Sequence, residues 1–550
     1  MPEPLSDQQD LPDVVVIPPA PPGEVSADGR LVRAAAILAL GNVASRVLGL
    51  GRETVKARFF GTLPALSAFE IAAVVPTTLF DLIVGGMVNS SLVPVFSDYA
   101  AEERRDELWA VASTFLSVAT VVLLVVVLLV ELFPAPVVAA LGAFNFTDPV
   151  LTRQAISLAR LSVPVVLFLS ISSILTGLLY ALKRFTLPAF TGAMFNGVIV
   201  LAVLLRPDHI ESLVWGMLAG SLLQVAMQLP ALRDARLRWR LDWRHPAIRR
   251  IVQLYTPIVA GLVVNQAGVA IGYNLATLSG DRSLTYMRYA TTLYQFPQGL
   301  VVTALSIAIL PTLSEQAQGV VTNFRRTLAQ GIRLVLTLIL PATAGLFALA
   351  LPIVTLLFQG GRFTAADSEV TALALRLFLF GLPFAAVDQM LIFASYARKD
   401  TLRPALVGVV SIAVYVAVAY YLVVNLDRWW PAAWRPGDQP AGLYGLMIAD
   451  AVKHLTHTLL MLPVLQSQIG GLAGQGVTAT TLKSLLASLA TGVAAWLTAD
   501  AAIGLIGFET LVQRLLVVTA AGLVGVAVYA ALGRLLNIRE ARTLRHLLRR

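Results

Sequence analysis

The chain has 550 residues, of which 57% are hydrophobic and 13% charged, with a net charge of +9 and no cysteine. Apolar runs of membrane-span length recur along it, which excludes a soluble globular protein, and the absence of thiols excludes disulfides and thiolate metal sites. Runs such as 116–132, 334–351 and 406–424 lack polar alternation, which argues against a β-barrel and leaves helices to satisfy the backbone in lipid.

Residues 1–30 are acidic and proline-rich, with no basic start. They read as a disordered cytoplasmic tail rather than a signal peptide or a span. Apolar runs broken by charge or Gly/Pro clusters then predict about 14 helices of about 20 residues or more. The first six, over 33–60, 66–99, 108–133, 152–182, 186–206 and 211–232, make up an N-lobe (31–232). A basic cytoplasmic loop follows at 233–247, "RDARLRWRLDWRHPA". Spans over 248–278, 284–317, 324–351, 368–398, 403–425 and 441–465 make up a C-lobe (248–466). Two more, over 481–503 and 509–534, fill 467–534, and a basic cytoplasmic tail closes the chain at 535–550. Under this parse "YALKRF", "NFRRT" and "YARKDTLRP" fall on the same side as the loop and the tail. The positive-inside rule makes that side cytoplasmic, together with both termini. The positive balance is thus topological and calls for no nucleic-acid partner, and the tail suits anionic lipid headgroups.

The chain repeats itself. "LVPVFSDY" from Leu92 resembles "ILPTLSEQ" from Ile309, each with a proline three residues before Ser97 or Ser314 and an acid beside that serine. "YALKRFTLPAF" from Tyr180 lines up with "YARKDTLRPAL" from Tyr396, 216 residues later. Both matches lie at cytoplasmic span ends at nearly the same spacing, so the halves run in parallel. The expected fold class is an all-α polytopic membrane protein with two parallel pseudo-symmetric six-helix lobes and two additional C-terminal helices. Transporters built from such halves hold their site between them and rock one against the other.

The stretch "SRVLGLGRETVKARFFG" (45–61) places charge inside the first span. Arg46 lies about 20 Å, and Arg52 and Glu53 about 30 Å, along a helix starting near residue 33. Arginine at such depth should face an aqueous cavity rather than lipid, and guanidinium forks suit pyrophosphate and carboxylate; the alternative is that Arg46 and Glu53 pair with neighbouring helices and only hold the bundle together. Lys56 and Arg58 read as snorkelling toward the outer interface, and Glu70 as an interfacial acid. Asn196, Asn265 and Gln266 are candidates for bonding sugar hydroxyls or for joining helices. Asp81, Asp388 and Asp450 are isolated acids at or near membrane depth, suited to coupling with a proton or cation or to pairing with arginine. His454 and His457 have ligand spacing but no third ligand nearby, and read as an ordinary helix face. Phosphate-loop, HExxH and nucleophile-elbow patterns are missing, so the sequence supports no enzymatic chemistry.

With "AFEIAAVVPTTLFDLIVGGMVNSSLVPVFSDY", "YQFPQGLVVTALSIAILPTLSEQA" and "LFQGGRFTAADSEVT" added, these segments resemble the MurJ/MviN family of the MOP flippase superfamily, in order, from about residue 33 onward. The resemblance implies a bacterial inner-membrane protein that moves lipid II, the undecaprenyl-pyrophosphate-linked peptidoglycan precursor, from the cytoplasmic to the periplasmic leaflet. It implies a central cationic cavity for the pyrophosphate and sugar head and a lipid-tail groove along 467–534. It also implies alternating access driven by membrane potential or by sodium or protons, without a cofactor. A monomer is expected, with membrane lipids around it and cell-wall synthesis proteins as candidate partners. The family's first-helix pattern falls on Ser45, Arg46, Leu48, Gly49, Arg52 and Glu53. Phe80 and Asp81 stand where it has arginines, Thr291 and Thr292 replace an acid and an arginine, and Ser67 replaces an acid. Arg288, four residues before Thr292 and on nearly the same helix face, is the candidate replacement; the alternative is an outer-end arginine in water. These departures keep two alternatives open: an exporter of another undecaprenyl-linked glycan, and a transport-inactive membrane scaffold.

Overall fold

Because lipid offers the backbone no partners, the apolar runs fold as helices. The structure, a computed structural model, describes residues 27–317, 319–437 and 439–540. Residues 1–26 of the tail expected over 1–30, and 541–550 of the basic tail expected over 535–550, lie outside the described residues. The first half holds α1 (Ala27–Phe60), α2 (Pro64–Ser97), α3 (Glu102–Leu132), α4 (Pro149–Ala181), α5 (Thr191–Leu205) and α6 (Glu211–Leu232). In the second half are α7 (Pro246–Leu278), α8 (Ser283–Gln316), α9 (Val321–Ala348), α10 (Ala365–Leu379), α11 (Leu382–Ala397), α12 (Leu402–Trp429) and α13 (Gly442–Ile469). Last come α14 (Val477–Ile506) and α15 (Leu511–Leu535). Among the described residues nine helices are long and apolar enough to cross a membrane, or up to eleven if each of two bent pairs is one span.

Two expected boundaries shift. Residues 27–30, expected in the disordered tail, are helical, because extending a formed helix adds a hydrogen bond per residue without a new nucleus. The span expected over 368–398 is the bent pair α10 and α11, at 43°. Between them Gly381 lies so close to α13 that an added Cβ would sit 2.9 Å from the Cα of Ala451.

Helices α1 to α6 pack on one another, with α5 between α1 and α6 and with α4 against α2, α3 and α6. A second bundle pairs α8 with α10, α9 with α11, and α13 with both α11 and α12. Helices α14 and α15 pack together against α9. The repeat is visible in the backbone as well. Helices α2 and α8 both contain π-helical turns, at Asp81–Gly85 and Val88–Leu92 in one and at Gln298–Thr303 in the other. Helices α4 and α11 both end on a lysine in the left-handed region, Lys183 at φ 58° and Lys399 at φ 61°. In both caps the amide after the lysine donates back to the carbonyl five residues earlier: Arg184 to Leu179 at 2.8 Å and Asp400 to Ser395 at 3.0 Å.

One group of hydrogen bonds between the two halves lies near the C-terminal end of α1. Thr62 donates to Asp367 at 2.7 Å, Ser67 and Thr285 share a bond of 2.9 Å, and Tyr289 donates to the Gly61 carbonyl at 3.1 Å. The Arg362 amide donates to the Arg58 carbonyl at 2.9 Å. That contact needs two left-handed glycines, Gly61 at φ 59° and Gly361 at φ 58°, since a Cβ on either would collide with the facing backbone.

Candidate functional site

The charged stretch of α1 does not point into lipid. Glu53 is buried, and its Oε1 accepts from Arg52 Nε at 3.1 Å and from the second terminal guanidinium nitrogen at 2.7 Å. Its Oε2 accepts from Lys56 Nζ at 2.7 Å, one helical turn on. Lys56 Nζ also donates to Glu70 on α2, whose other oxygen accepts from Arg288 Nε on α8 at 3.2 Å. Charges therefore alternate along Arg52, Glu53, Lys56, Glu70 and Arg288, linking both lobes. The expectation of a snorkelling Lys56 and an interfacial Glu70 is corrected: both are buried. Their mutual pairing is what makes burial tolerable, and Lys56 also lies 5.8 Å from the ring centroid of Phe69.

Exposure separates the members of this network. The side chains of Glu53, Glu70 and Lys56 are 3%, 4% and 5% exposed, whereas Arg52 and Arg288 keep 27% and 31%. The two guanidiniums are thus the network members with room to meet a ligand, and three cations against two carboxylates leave one positive charge in surplus. Arg52 is aimed by Asn196, whose Oδ1 accepts from it at 3.0 Å. The Asn196 amide nitrogen is occupied by the carbonyls of Ser45 and Gly192 at 3.2 and 3.0 Å. Asn196 therefore holds Arg52 rather than facing a sugar. Arg46, with no carboxylate bonded to it among the described residues, lies over α8, where a Cβ added to Gly299 would sit 2.5 Å from its terminal nitrogens.

A cavity of about 180 Å³ borders the network, lined by Arg52, Lys56, Glu70, Tyr273 and Arg288 among others. A larger cavity of about 520 Å³ lies between α2, α7, α8, α11, α12 and α13. Arg288, Tyr273, Thr77 and Val74 line both. The larger cavity gathers Asn265, Gln266, Arg288, Asp81, Asp388 and Asp450 from the sequence-expected set. Arg46, Arg52, Glu53 and Asn196 do not line it. Asp388 Oδ1 bonds His457 Nδ1, Asp450 pairs with Lys453, and His454 Nε2 lies 3.5 Å from Asp450. Asp81 has a neutral partner, Gln266 Nε2, at 3.1 Å.

Sequence reasoning missed Lys56, Glu70, Lys453 and the His457–Asp388 pair as members of the site. Part of the signal was present: Asp450, Lys453, His454 and His457 stand at i, i+3, i+4 and i+7, a single helix face. The larger cavity also differs from the cationic cavity expected. Its lining carries Asp81, Asp388 and Asp450 against Arg288 and Lys453, so the cationic surplus sits in the smaller compartment beside it.

The fold has known counterparts. A structure described as lipid II flippase MurJ in an inward closed conformation superposes with a TM-score of 0.72 at 21% identity, covering 91% of this chain and 99% of that one. An inward-facing MATE family multidrug resistance transporter of the MOP superfamily gives 0.61 at 12% identity, covering 78% of this chain and 94% of its own. In sequence, the probable lipid II flippase MurJ of Bdellovibrio bacteriovorus is 28% identical over 468 residues, spanning 83% of this chain and 86% of its own length. The lipid II flippase MurJ of Burkholderia cenocepacia is 27% identical over 393 residues, spanning 70% and 76%. A family model described as lipid II flippase MurJ matches residues 56–512. With that match over most of its length, on two helical lobes with a charged cavity between them, the chain belongs to the lipid II flippase MurJ family.

Proposed function

We propose that this protein moves lipid II from the cytoplasmic to the outer leaflet of the bacterial plasma membrane by alternating access, without bond breaking. The observation that carries this reading is the pair of adjoining cavities between the lobes, joined at Arg288, with a surplus guanidinium charge on the Arg52 side. Bidentate donors with room around them, held in place by buried carboxylates, suit a diphosphate. Arg52 and Arg288 are assigned to it, with Arg46 supplying a third guanidinium once the lobes separate and release it from Gly299. Asn265 and Gln266 serve the head's hydroxyls and amides. Both termini are assigned to the cytoplasm, so the sealed end at Gly61 and Gly361 faces outward. The lipid tail is assigned to the groove beside α14 and α15, and the protomer acts alone. Coupling to sodium, to protons or to the membrane potential falls to Asp388 and Asp450.

Complementation tests this reading. In a bacterium depleted of its own lipid II flippase, the intact protein should restore growth, while Arg46→Ala and Arg52→Ala at equal membrane expression should not. Equal rescue by all three would remove the arginines from the mechanism. The three carboxylates in the larger cavity favour a second reading, export of another undecaprenyl-linked glycan. Under it a well-inserted protein fails to rescue, and deleting its gene removes a surface polysaccharide while leaving the cell wall intact.

A further inference from the structure

Three carboxylates line the larger cavity, and they are not equivalent. Asp388 touches His457, and Asp450 touches Lys453 and His454. Asp81 has no basic partner of this kind among the described residues: its Oδ2 accepts from the neutral amide of Gln266, and the side chain is half-buried within a membrane-spanning helix. A lone carboxylate at such depth is unfavourable unless it takes up a proton or a cation in the adjoining space neutralises it. The backbone at this point is specialised too. Asp81 opens a π-helical turn, a feature frequent at functional sites. The Tyr255 hydroxyl, on α7, donates to the freed Asp81 and Leu82 carbonyls at 3.1 and 3.0 Å. Tyr255 and Gln266 thus fix both backbone and carboxylate from the same neighbouring helix. With Oδ2 committed to Gln266, Oδ1 is left to accept from whatever fills the cavity.

We propose that Asp81 and Gln266 form a subsite for a primary ammonium group on the cargo's head, in the same cavity as Arg288. The cargo then carries both charges: a diphosphate at the arginine side and a free amine, on a side chain of its peptide, at the carboxylate side. This deepens the reading of the site as a lipid II carrier and rests on it. An ammonium has three donors, enough to engage Oδ1 and neighbouring neutral oxygens such as those of Thr77, Thr78 and Asn265, which line the same cavity.

The test uses the full chain in lipid nanodiscs and two probes, an undecaprenyl-diphosphate disaccharide whose peptide carries a free side-chain amine, and its N-acetylated twin. The intact protein should bind the free amine about tenfold more tightly, the effect of one charge-assisted hydrogen bond. In Asp81→Asn the two probes should bind equally, and Asp81→Glu should keep the preference. Equal binding of both probes to the intact protein overturns the inference without needing any variant, while leaving the carrier reading in place. Affinity for both probes that rises with sodium in the intact protein and not in Asp81→Asn assigns the carboxylate to an inorganic cation and also overturns it. Binding of neither probe overturns the inference and the lipid II reading together.

Discussion

Within the bundle, charge survives by being paired, and the two kinds of pairing here have different consequences. Glu53 is sealed between Arg52 and Lys56, so Glu53→Gln leaves Lys56 and Arg52 short of a counter-charge inside protein. A loss of about 3–5 kcal/mol is expected from breaking such a buried network, read as a lowered thermal midpoint of the purified protein in detergent. Adding Lys56→Met should recover part of that loss, because the uncompensated cation goes with it; a double variant no better than the single one would show that the pair is not coupled. Arg288→Ala should behave differently. Its side chain is 31% exposed at the edge of both cavities, so transport should fail while the midpoint moves by less than in Glu53→Gln. Arg46, Arg52 and Glu53 were legible from the sequence because charge in an apolar span is conspicuous. Lys56 and Glu70 were not, since their burial comes from a partner on another helix.

Among the elements, the left-handed lysines report the repeat. An L side chain in that region costs about 1–2 kcal/mol, and two copies of the same cap accept the cost at Lys183 and Lys399. Lys399→Gly should raise the thermal midpoint and Lys399→Val should lower it, because a β-branched residue fits the left-handed region worst. If both substitutions act alike, the cap geometry is not what sets stability there. Just beyond the first cap, Arg184 forks onto Asp234 at 2.6 and 2.9 Å. That hydrogen bonding holds the Asp234 carboxyl below its usual range. The tie is present at neutral pH, and its contribution is lost as pH falls through the lowered value. An acid-side loss of midpoint should therefore be smaller in Asp234→Asn. The "YALKRF" and "YARKDT" match announced that the halves repeat, yet the π-helical turns within α2 and α8 carried no pattern by which they could be read in advance.

At the scale of the molecule, the seal near the C-terminal end of α1 is the part that has to open if the lobes rock. Ser67 and Thr285 face each other at 2.9 Å across it, and the chain's lack of cysteine makes an engineered pair unambiguous. Ser67→Cys with Thr285→Cys should cross-link on oxidation, stop the protein from supporting growth, and release it again on reduction. Growth support from a fully cross-linked protein would rule out a cycle that opens this end. Gly361→Ala, which puts a Cβ against the Arg58 carbonyl, should instead weaken the seal and lower the cross-linking yield.

The sequence by itself determined the class of the molecule, the approximate course of its spans, the parallel repeat and the presence of charge inside the first helix. These are local properties: apolar length, periodicity and short motifs are carried by contiguous residues, and lipid allows few ways to fold them. The tertiary structure decided which charges meet. Lys56 finds Glu70 fourteen residues away, and Glu70 finds Arg288 across 218 residues and between lobes. Packing also decided that Asn196 is spent on holding Arg52, and that Asp388 has a histidine while Asp81 has an amide. Charge partners depend on how helices rotate and pack around a shared cavity, and no single helix encodes its neighbour's face.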